Sequence, residues 1–152
     1  GLRAVIFTQY TATHAAIVEK CKKDGFETFE FNGSSSATKR DRQIREFQAT
    51  DDDNSSRPAV FVITLRAGSV GITLTAASHC FLMEPALDPA TEVQAAGRIH
   101  RLGQTKHVHV TKFVHSNSPE ENILGVHREI AAGRIKIVDN HVPAVAVRLL
   151  MA

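Results

Sequence analysis

The stretch Ala59-Val60-Phe61-Val62-Ile63-Thr64-Leu65 places apolar side chains at consecutive rather than alternate positions. A strand shielded from water on both faces needs that pattern, and such strands lie at the centre of parallel sheets. Just upstream, Asp51–Pro58 (DDDNSSRP) reads as a solvated surface loop. Further out on either side, strand and helix signals alternate. Arg3–Gln9 is apolar and β-rich, and Thr11–Lys23 sets Ala12, Ala15, Ala16 and Cys21 at roughly helical spacing before an Asp24-Gly25 stop. Phe26–Phe31 predicts a strand and Ser36–Gln48 a helix with Ala37, Ile44 and Phe47 on one face. His79–Met83 and His107–Val114 add two more strands. Asp88-Pro89 opens a helix expected to reach about Leu102, and Ser118-Pro119-Glu120-Glu121 caps another running to Gly133. Five strands separated by helices predict an α/β fold: an open, mainly parallel sheet with helices on both faces. The expected organisation is one lobe over residues 1–133 and an extension, 134–152, whose apolar end docks at a place the sequence does not specify.

Composition narrows the class. The 152 residues are 43% hydrophobic, enough for one buried core, and 22% charged, with 18 basic and 16 acidic side chains. A net charge of +2 excludes a histone-like protein or an acidic tail, so charge placement rather than total charge must identify a partner. Runs such as Ala59–Leu65 fall far short of the roughly 20 apolar residues that span a bilayer, so no membrane association is expected. The two cysteines, Cys21 and Cys80, sit in a helix and a strand without C-x-x-C spacing. That suits a reducing intracellular setting rather than a disulfide framework or structural zinc. The opening Gly1-Leu2-Arg3-Ala4 lacks methionine and enters a strand at once, as though cut from a longer chain.

Open α/β sheets bind ligands at the carboxyl ends of their strands, here the loops after Gln9, Phe31, Leu65, Met83 and Val114. Gly33-Ser34-Ser35-Ser36-Ala37-Thr38-Lys39 imitates a phosphate-cradling loop. A true one needs glycine where Thr38 stands and a hydroxyl where Arg40 stands. With no G-x-G-x-x-G either, the chain holds no complete nucleotide cradle of its own. Gln94–Gln104 (QAAGRIHRLGQ) is more informative. On a helix, Gln94, Gly97, Arg98 and Arg101 form one stripe, beside an apolar stripe of Ala95, Ile99 and Leu102. Paired guanidiniums that never lose charge suit a polyanion, whereas two merely solvated arginines would not need the intervening glycine. In Ile63–Ala77 (ITLRAGSVGITLTAA), Gly68 and Gly71 permit an irregular turn that exposes backbone N–H groups, followed by a short helical segment. His107 and His109 share a strand face but lack a third metal ligand, and Asp51–Asp53 lack the rest of a calcium loop, so no metal site is expected.

Read in order, FTQY (7–10), FNGSSSATKRDRQIREFQ (31–48), VITLRAGSVGITLTAASHC (62–80), EPALDP (84–89), QAAGRIHRLGQTKHVHVTKFV (94–114) and SPEENI (118–123) resemble the C-terminal RecA-like lobe of superfamily-two helicases. More narrowly, they resemble the Swi/Snf-type chromatin-remodelling and DNA-translocase ATPases. The resemblance implies a two-lobed motor in which ATP and Mg²⁺ are held largely by an N-terminal lobe outside this chain, leaving the isolated lobe inactive. It implies that Arg98 and Arg101 are arginine fingers, and that Gly68, Gly71, Gln94 and Gly97 belong to the nucleotide-facing motifs, closed by Gln104. Gln9, Gly33, Ser34, Thr64, Arg66 and Ala67 match positions along the tracked DNA strand. Lys39, Arg40 and Arg42 either add phosphate contacts or are solvated helix charges. The partners so implied are double-stranded, nucleosomal DNA and the first lobe, with roles in chromatin remodelling and DNA repair in the nucleus. The competing readings are a lobe of a strand-separating helicase and a non-catalytic nucleic-acid or protein-docking module. Two departures stand out: the family's tryptophan and asparagine are missing from Glu84–Pro89, and Thr73 replaces a common asparagine. The EP-x-x-P variant looks like the branch fused to ring-finger ubiquitin-ligase modules.

Overall fold

The computed structural model describes residues 1–49, 57–69, 71–138 and 141–151. Its elements are β1 (Arg3–Thr8), α1 (Thr11–Lys23), β2 (Glu27–Phe31), α2 (Ala37–Gln48), β3 (Ala59–Thr64), the single turn α3 (Leu65–Gly68), β4 (His79–Leu82), α4 (Pro89–Ala96), β5 (His109–Lys112), α5 (Pro119–Ala131) and α6 (Ala144–Met151). The five strands form one sheet in the order β2-β3-β1-β4-β5, every pair parallel. All six residues of β3 are buried, as its consecutive apolar side chains require.

Strand alternation assigns the helices to faces. Phe29 and Phe31 of β2 point to the same side as Phe61 of β3, where Phe47 of α2 meets Phe29 and Phe61 edge-on at ring-centroid distances of 5.6 and 5.1 Å. Phe31 completes the cluster at 5.5 Å from Phe61. Glu30 points the other way, toward His14 of α1, so α1 and α2 cover opposite faces. The Phe47 side carries the main core, which also takes in Val5, Phe7, Leu74, Ala95 and Ile99.

Several boundaries and faces differ from the sequence expectation. The docking face of α1 is His14 and Val18, while Ala12, Ala15 and Ala16 are exposed. His14 enters the interior because its Nε2 finds the Val62 carbonyl at 3.2 Å, a hydrogen bond that no apolar-periodicity argument contains. Ala37 likewise lies on the exposed side of α2. The helical turn after β3 precedes Gly71 rather than following it, and β5 is confined to His109–Lys112. The Asp51–Pro58 loop falls largely outside the described residues, with Arg57 and Pro58 exposed. In the C-terminal extension, α6 packs on α5 through a second small core of Val126, Ile135 and Ala146. Asn122 of α5 fixes that contact by donating Nδ2 to the Leu150 carbonyl at 3.1 Å.

Cys80 is fully buried in β4, and desolvation pushes its thiol up to about 12. Cys21 is only half-buried, its thiol raised by burial and then by the charge of Asp24. Because the thiolate is the nucleophile, iodoacetamide at pH 8 should label Cys21 in the folded protein and reach Cys80 only after denaturation, as read by peptide mapping. Equal labelling of both in the native state would contradict the placement of β4.

Candidate nucleic-acid and nucleotide interface

A cleft of about 540 Å³ opens at the carboxyl ends of β1, β2 and β3. Gln9, Gly33, Thr64, Arg66 and Ala67, five of the six positions matched to the DNA path, line it together, joined by Thr11 and Arg40. Ser34 is not in the lining; its N–H and hydroxyl both donate to Asn32 Oδ1, at 3.0 and 2.7 Å, which shapes the turn that carries Gly33. That turn leads into α2, whose cap Ser36 accepts from the Lys39 N–H at 3.2 Å.

The β1 wall of the cleft is fixed by a buried carboxylate that sequence reasoning missed. Thr8 donates its hydroxyl to Glu84 Oε1 at 2.7 Å, the Gln9 N–H donates to Glu84 Oε2 at 2.9 Å, and Gln9 Nε2 donates to the Pro85 carbonyl at 3.0 Å. A second buried acid, Glu92 on α4, accepts from the Ala86 N–H at 2.9 Å and from Lys112 Nζ at 2.6 Å. His127 Nε2 pairs with the Ala86 carbonyl at 2.7 Å from α5. The segment Glu84–Asp88 is thereby tied to β1, α4, β5 and α5. Its missing tryptophan and asparagine drew attention to this segment, but only the fold brings Glu84 to Thr8. The Arg66 end of the cleft is closed by Ser69, whose hydroxyl donates to the Arg66 carbonyl at 2.7 Å. The charged side chains lining the cleft are Arg40 and Arg66, and neither has an ion-pair partner among the described residues.

The second arginine pair is built differently from the expected helical stripe. Asp88 caps α4, its Oδ1 accepting from the Ala90 N–H at 2.9 Å, but the helix ends at Ala96. Residues 97–104 form a compact turn instead, with Gly103 at φ +97°. The reason is a set of bonds to the strand-crossing segment 69–77. Gln104 Nε2 points at the carbonyls of Thr75, Ala77 and Ile99 at 2.8 to 3.1 Å, and the Leu74 N–H donates to the Arg98 carbonyl at 2.8 Å. Ile99 stays in the core with Ala95, whereas Leu102, placed on the same apolar stripe by helical periodicity, is fully exposed. Both guanidiniums nevertheless reach the same short segment. Arg98 Nη2 donates to the Ser69 carbonyl at 3.0 Å, and Arg101 Nη1 donates to the Ile72 carbonyl at 3.2 Å and to Thr73 Oγ1 at 2.9 Å. Arg98 Nε is buried without an acceptor, and no carboxylate pairs with either arginine among the described residues. Cations oriented by neutral carbonyls keep their charge available, a donor set that fits a polyphosphate.

The remaining motif positions separate by environment. Gly68 and Gln94 line one crevice of about 20 Å³ between α3 and α4, room for roughly one water. A methyl on Gly68 would stand 2.9 Å from Phe7 Cε1, so this glycine is demanded by packing. Gly71 meets nothing within 4 Å. At Gly97 the crowding comes from the carbonyls of Val93 and Gln94, 3.2 and 3.3 Å from an added Cβ, which is the last turn of its own helix. His79 stacks on His109 at 5.1 Å and His109 meets His107 edge-on, but among the described residues no three side chains are placed to hold a metal ion.

A family model described as the helicase conserved C-terminal domain matches residues 1–103. The chain is 39% identical over 136 residues to the helicase-like transcription factor of Homo sapiens, and 37% identical over 131 residues to the DNA repair protein RAD5 of Saccharomyces cerevisiae. Those alignments take in 88% and 83% of this chain but only 13% and 11% of the two relatives. The crystal structure of the C-terminal part of the Fun30 ATPase domain superposes with a TM-score of 0.77 at 25% identity, covering 98% of this chain and 46% of that one. The parallel α/β lobe and the helicase resemblance read from the motifs agree with these findings.

The two glycines of the 65–73 segment should respond oppositely to alanine. Gly68→Ala forces a methyl onto the buried Phe7 ring and should cost about 1–3 kcal/mol, whereas Gly71→Ala, with open space and an ordinary φ, should stay within about 0.5 kcal/mol. Urea unfolding of the two variants checks this, and equal midpoints would show that the Phe7 contact is misplaced.

Proposed function

The chain belongs to the helicase conserved C-terminal domain family, and from that premise we propose that it is the second motor lobe of an ATP-dependent double-stranded-DNA translocase of the chromatin-remodelling type. In this reading a first lobe carries the phosphate-cradling loop and the Mg²⁺-binding acids, and ATP lies between the two lobes. Arg98 and Arg101 offset charge on the transferring γ-phosphoryl group, with Gln94, Gly97, Gly68 and Gly71 shaping the surface around them. The carrying observation is that both guanidiniums are held on Ser69–Thr73 by neutral acceptors, without a carboxylate to cancel them.

The cleft at the β1–β3 ends is the DNA path. Its lining is two arginines, glutamine, two threonines, glycine and alanine, a set whose guanidiniums, amide and hydroxyls can donate to phosphate and sugar oxygens. Binding is therefore salt-dependent and nearly blind to sequence. Work on nucleosomal DNA, a part in DNA repair and a nuclear location belong to the same proposal. They draw support from relatives whose names are a helicase-like transcription factor and a DNA repair protein.

Arginine fingers contribute roughly 10³–10⁵ to the rate of related phosphoryl transfers. Arg98→Ala or Arg101→Ala in the complete protein should lower DNA-stimulated ATP turnover by at least about 10³-fold while leaving duplex affinity within a few-fold. Near-normal turnover in both variants would remove the motor assignment.

A further inference from the structure

Sequence alone leaves Lys39, Arg40 and Arg42 equivalent: three neighbouring cations at the start of α2, each either a phosphate contact or a solvated charge. The structure separates them. Lys39 Nζ donates to Glu30 Oε1 at 2.9 Å. Burial alone would raise the Glu30 carboxyl, but the Lys39 hydrogen bond and charge, followed by the charges of His14 and Lys22, hold it below its usual range. The Lys39 charge is therefore answered within the fold. Arg42 is exposed and lies outside the cleft lining. Arg40 alone of the three lines the cleft, beside Gly33 and Arg66.

Arg40 is also held in a way that a solvated charge is not. Its guanidinium carbon lies 5.3 Å from the centroid of Phe31, a ring with no exposure to solvent. Its Nε is buried with no acceptor among the described residues, and no carboxylate there pairs with it. A planar cation laid on an aromatic face loses rotational freedom but keeps its full charge, since the ring offers a quadrupole and no counter-ion. Glycine at position 33 leaves the adjoining turn without a side chain, so an approaching backbone meets no obstruction there.

We propose that Arg40, pre-oriented on Phe31, is a phosphodiester clamp that grips one strand of the duplex in the cleft opposite Arg66. The proposal rests on the reading of this cleft as the DNA path. It adds that the grip comes from α2 as well as from the loop after β3, so that the backbone is held from both walls. The ligand is a duplex phosphate backbone rather than an unstacked base, because among the residues lining the cleft none presents an aromatic ring on which a base could stack.

Each phosphate neutralised by a cation contributes about 0.9 to the slope of log K against log salt concentration on B-DNA. The test measures binding of the complete protein to a random-sequence duplex by fluorescence anisotropy over a series of KCl concentrations. Arg40→Gln should make the slope shallower by about one and weaken binding equally on unrelated sequences, while Lys39→Gln should leave the slope unchanged. An unchanged slope in Arg40→Gln, or transfer of the loss to Lys39→Gln, overturns the assignment. Arg66→Gln separates the two levels of the argument. If it lowers the slope and Arg40→Gln does not, only the Arg40 clamp is wrong; if neither does, the cleft is not the DNA path. Should Arg40→Gln fail to fold, Arg40→Met, which keeps an aliphatic stem over Phe31 and carries no charge, takes its place: the slope should again become shallower by about one, and an unchanged slope overturns the clamp.

Discussion

The cleft and the arginine-bearing segments of this lobe are built around one strand held on both faces and both edges. β3 is buried on both faces and hydrogen-bonded on both edges, to β2 and β1, in a register that runs Glu27–Phe31 and Arg3–Thr8 along it. A one-residue slip of β2 against β3 would turn Glu30 toward the aromatic core and Phe29 and Phe31 away from it, so the register is strongly determined. The three strand ends β1, β2 and β3 consequently finish side by side, and the loops leaving them supply the walls of one cleft. The edge on the β1 side is reinforced rather than left to the sheet: Glu84 binds both the last residue of β1 and the first residue beyond it.

The two arginine sites are connected through Ser69. Its hydroxyl holds the carbonyl of Arg66, which faces the cleft, and its own carbonyl holds Arg98. The partners chosen matter as much as the connection. Peptide carbonyls orient a guanidinium through hydrogen bonds worth about 1.5–3 kcal/mol each when one partner is charged, yet leave the net charge in place. A carboxylate in the same position would orient equally well and abolish the attraction for a polyanion. The exposed alternative, a freely rotating arginine, would keep the charge and lose the geometry.

The sheet and most of its helices were legible because the signals that specify them are local. Consecutive apolar residues marked β3, and Asp88-Pro89 and Ser118-Pro119 marked helix starts; both caps form, but in place of the expected capping box Ser118 accepts from the Glu120 N–H and Glu120 accepts from the His115 N–H. The failures share a cause. Periodicity treats a helix as isolated, so it extended α4 through Leu102, where the pull of Gln104 and Leu74 on the Ile99–Arg98 backbone ends it. It also chose alanines for the inner face of α1, because a buried histidine becomes acceptable only once Val62 offers it a carbonyl. Glu84 and Glu92 were invisible for the same reason: a carboxylate declares a structural role only through partners distant in sequence, here Thr8, Ala86 and Lys112. Motif spacing, by contrast, picked out five residues that the fold brings to one cleft, since a motif is read position by position and survives a misjudged local conformation.

The same long-range pairing bears on how a chain with a net charge of only +2 lines one cleft with two arginines that have no ion-pair partner among the described residues. Three acids on the elements that build both sites, Glu84, Glu92 and Glu30, are engaged within the fold, while Asp41 and Glu46 of α2 stay exposed. Glu84 is engaged by a hydroxyl and a peptide N–H, Glu92 by a peptide N–H and Lys112, and Glu30 by Lys39 and His14. Each does structural work behind the surface. Arg40, Arg66, Arg98 and Arg101 have no carboxylate partner among the described residues. Since the field at a cleft depends on the charges lining it and falls away within about a Debye length, roughly 8 Å at physiological salt, this sorting by depth outweighs the near balance of the totals. A polyanion approaching the lobe therefore meets the local excess rather than the average, which is why composition could exclude partners for this chain but could not select one.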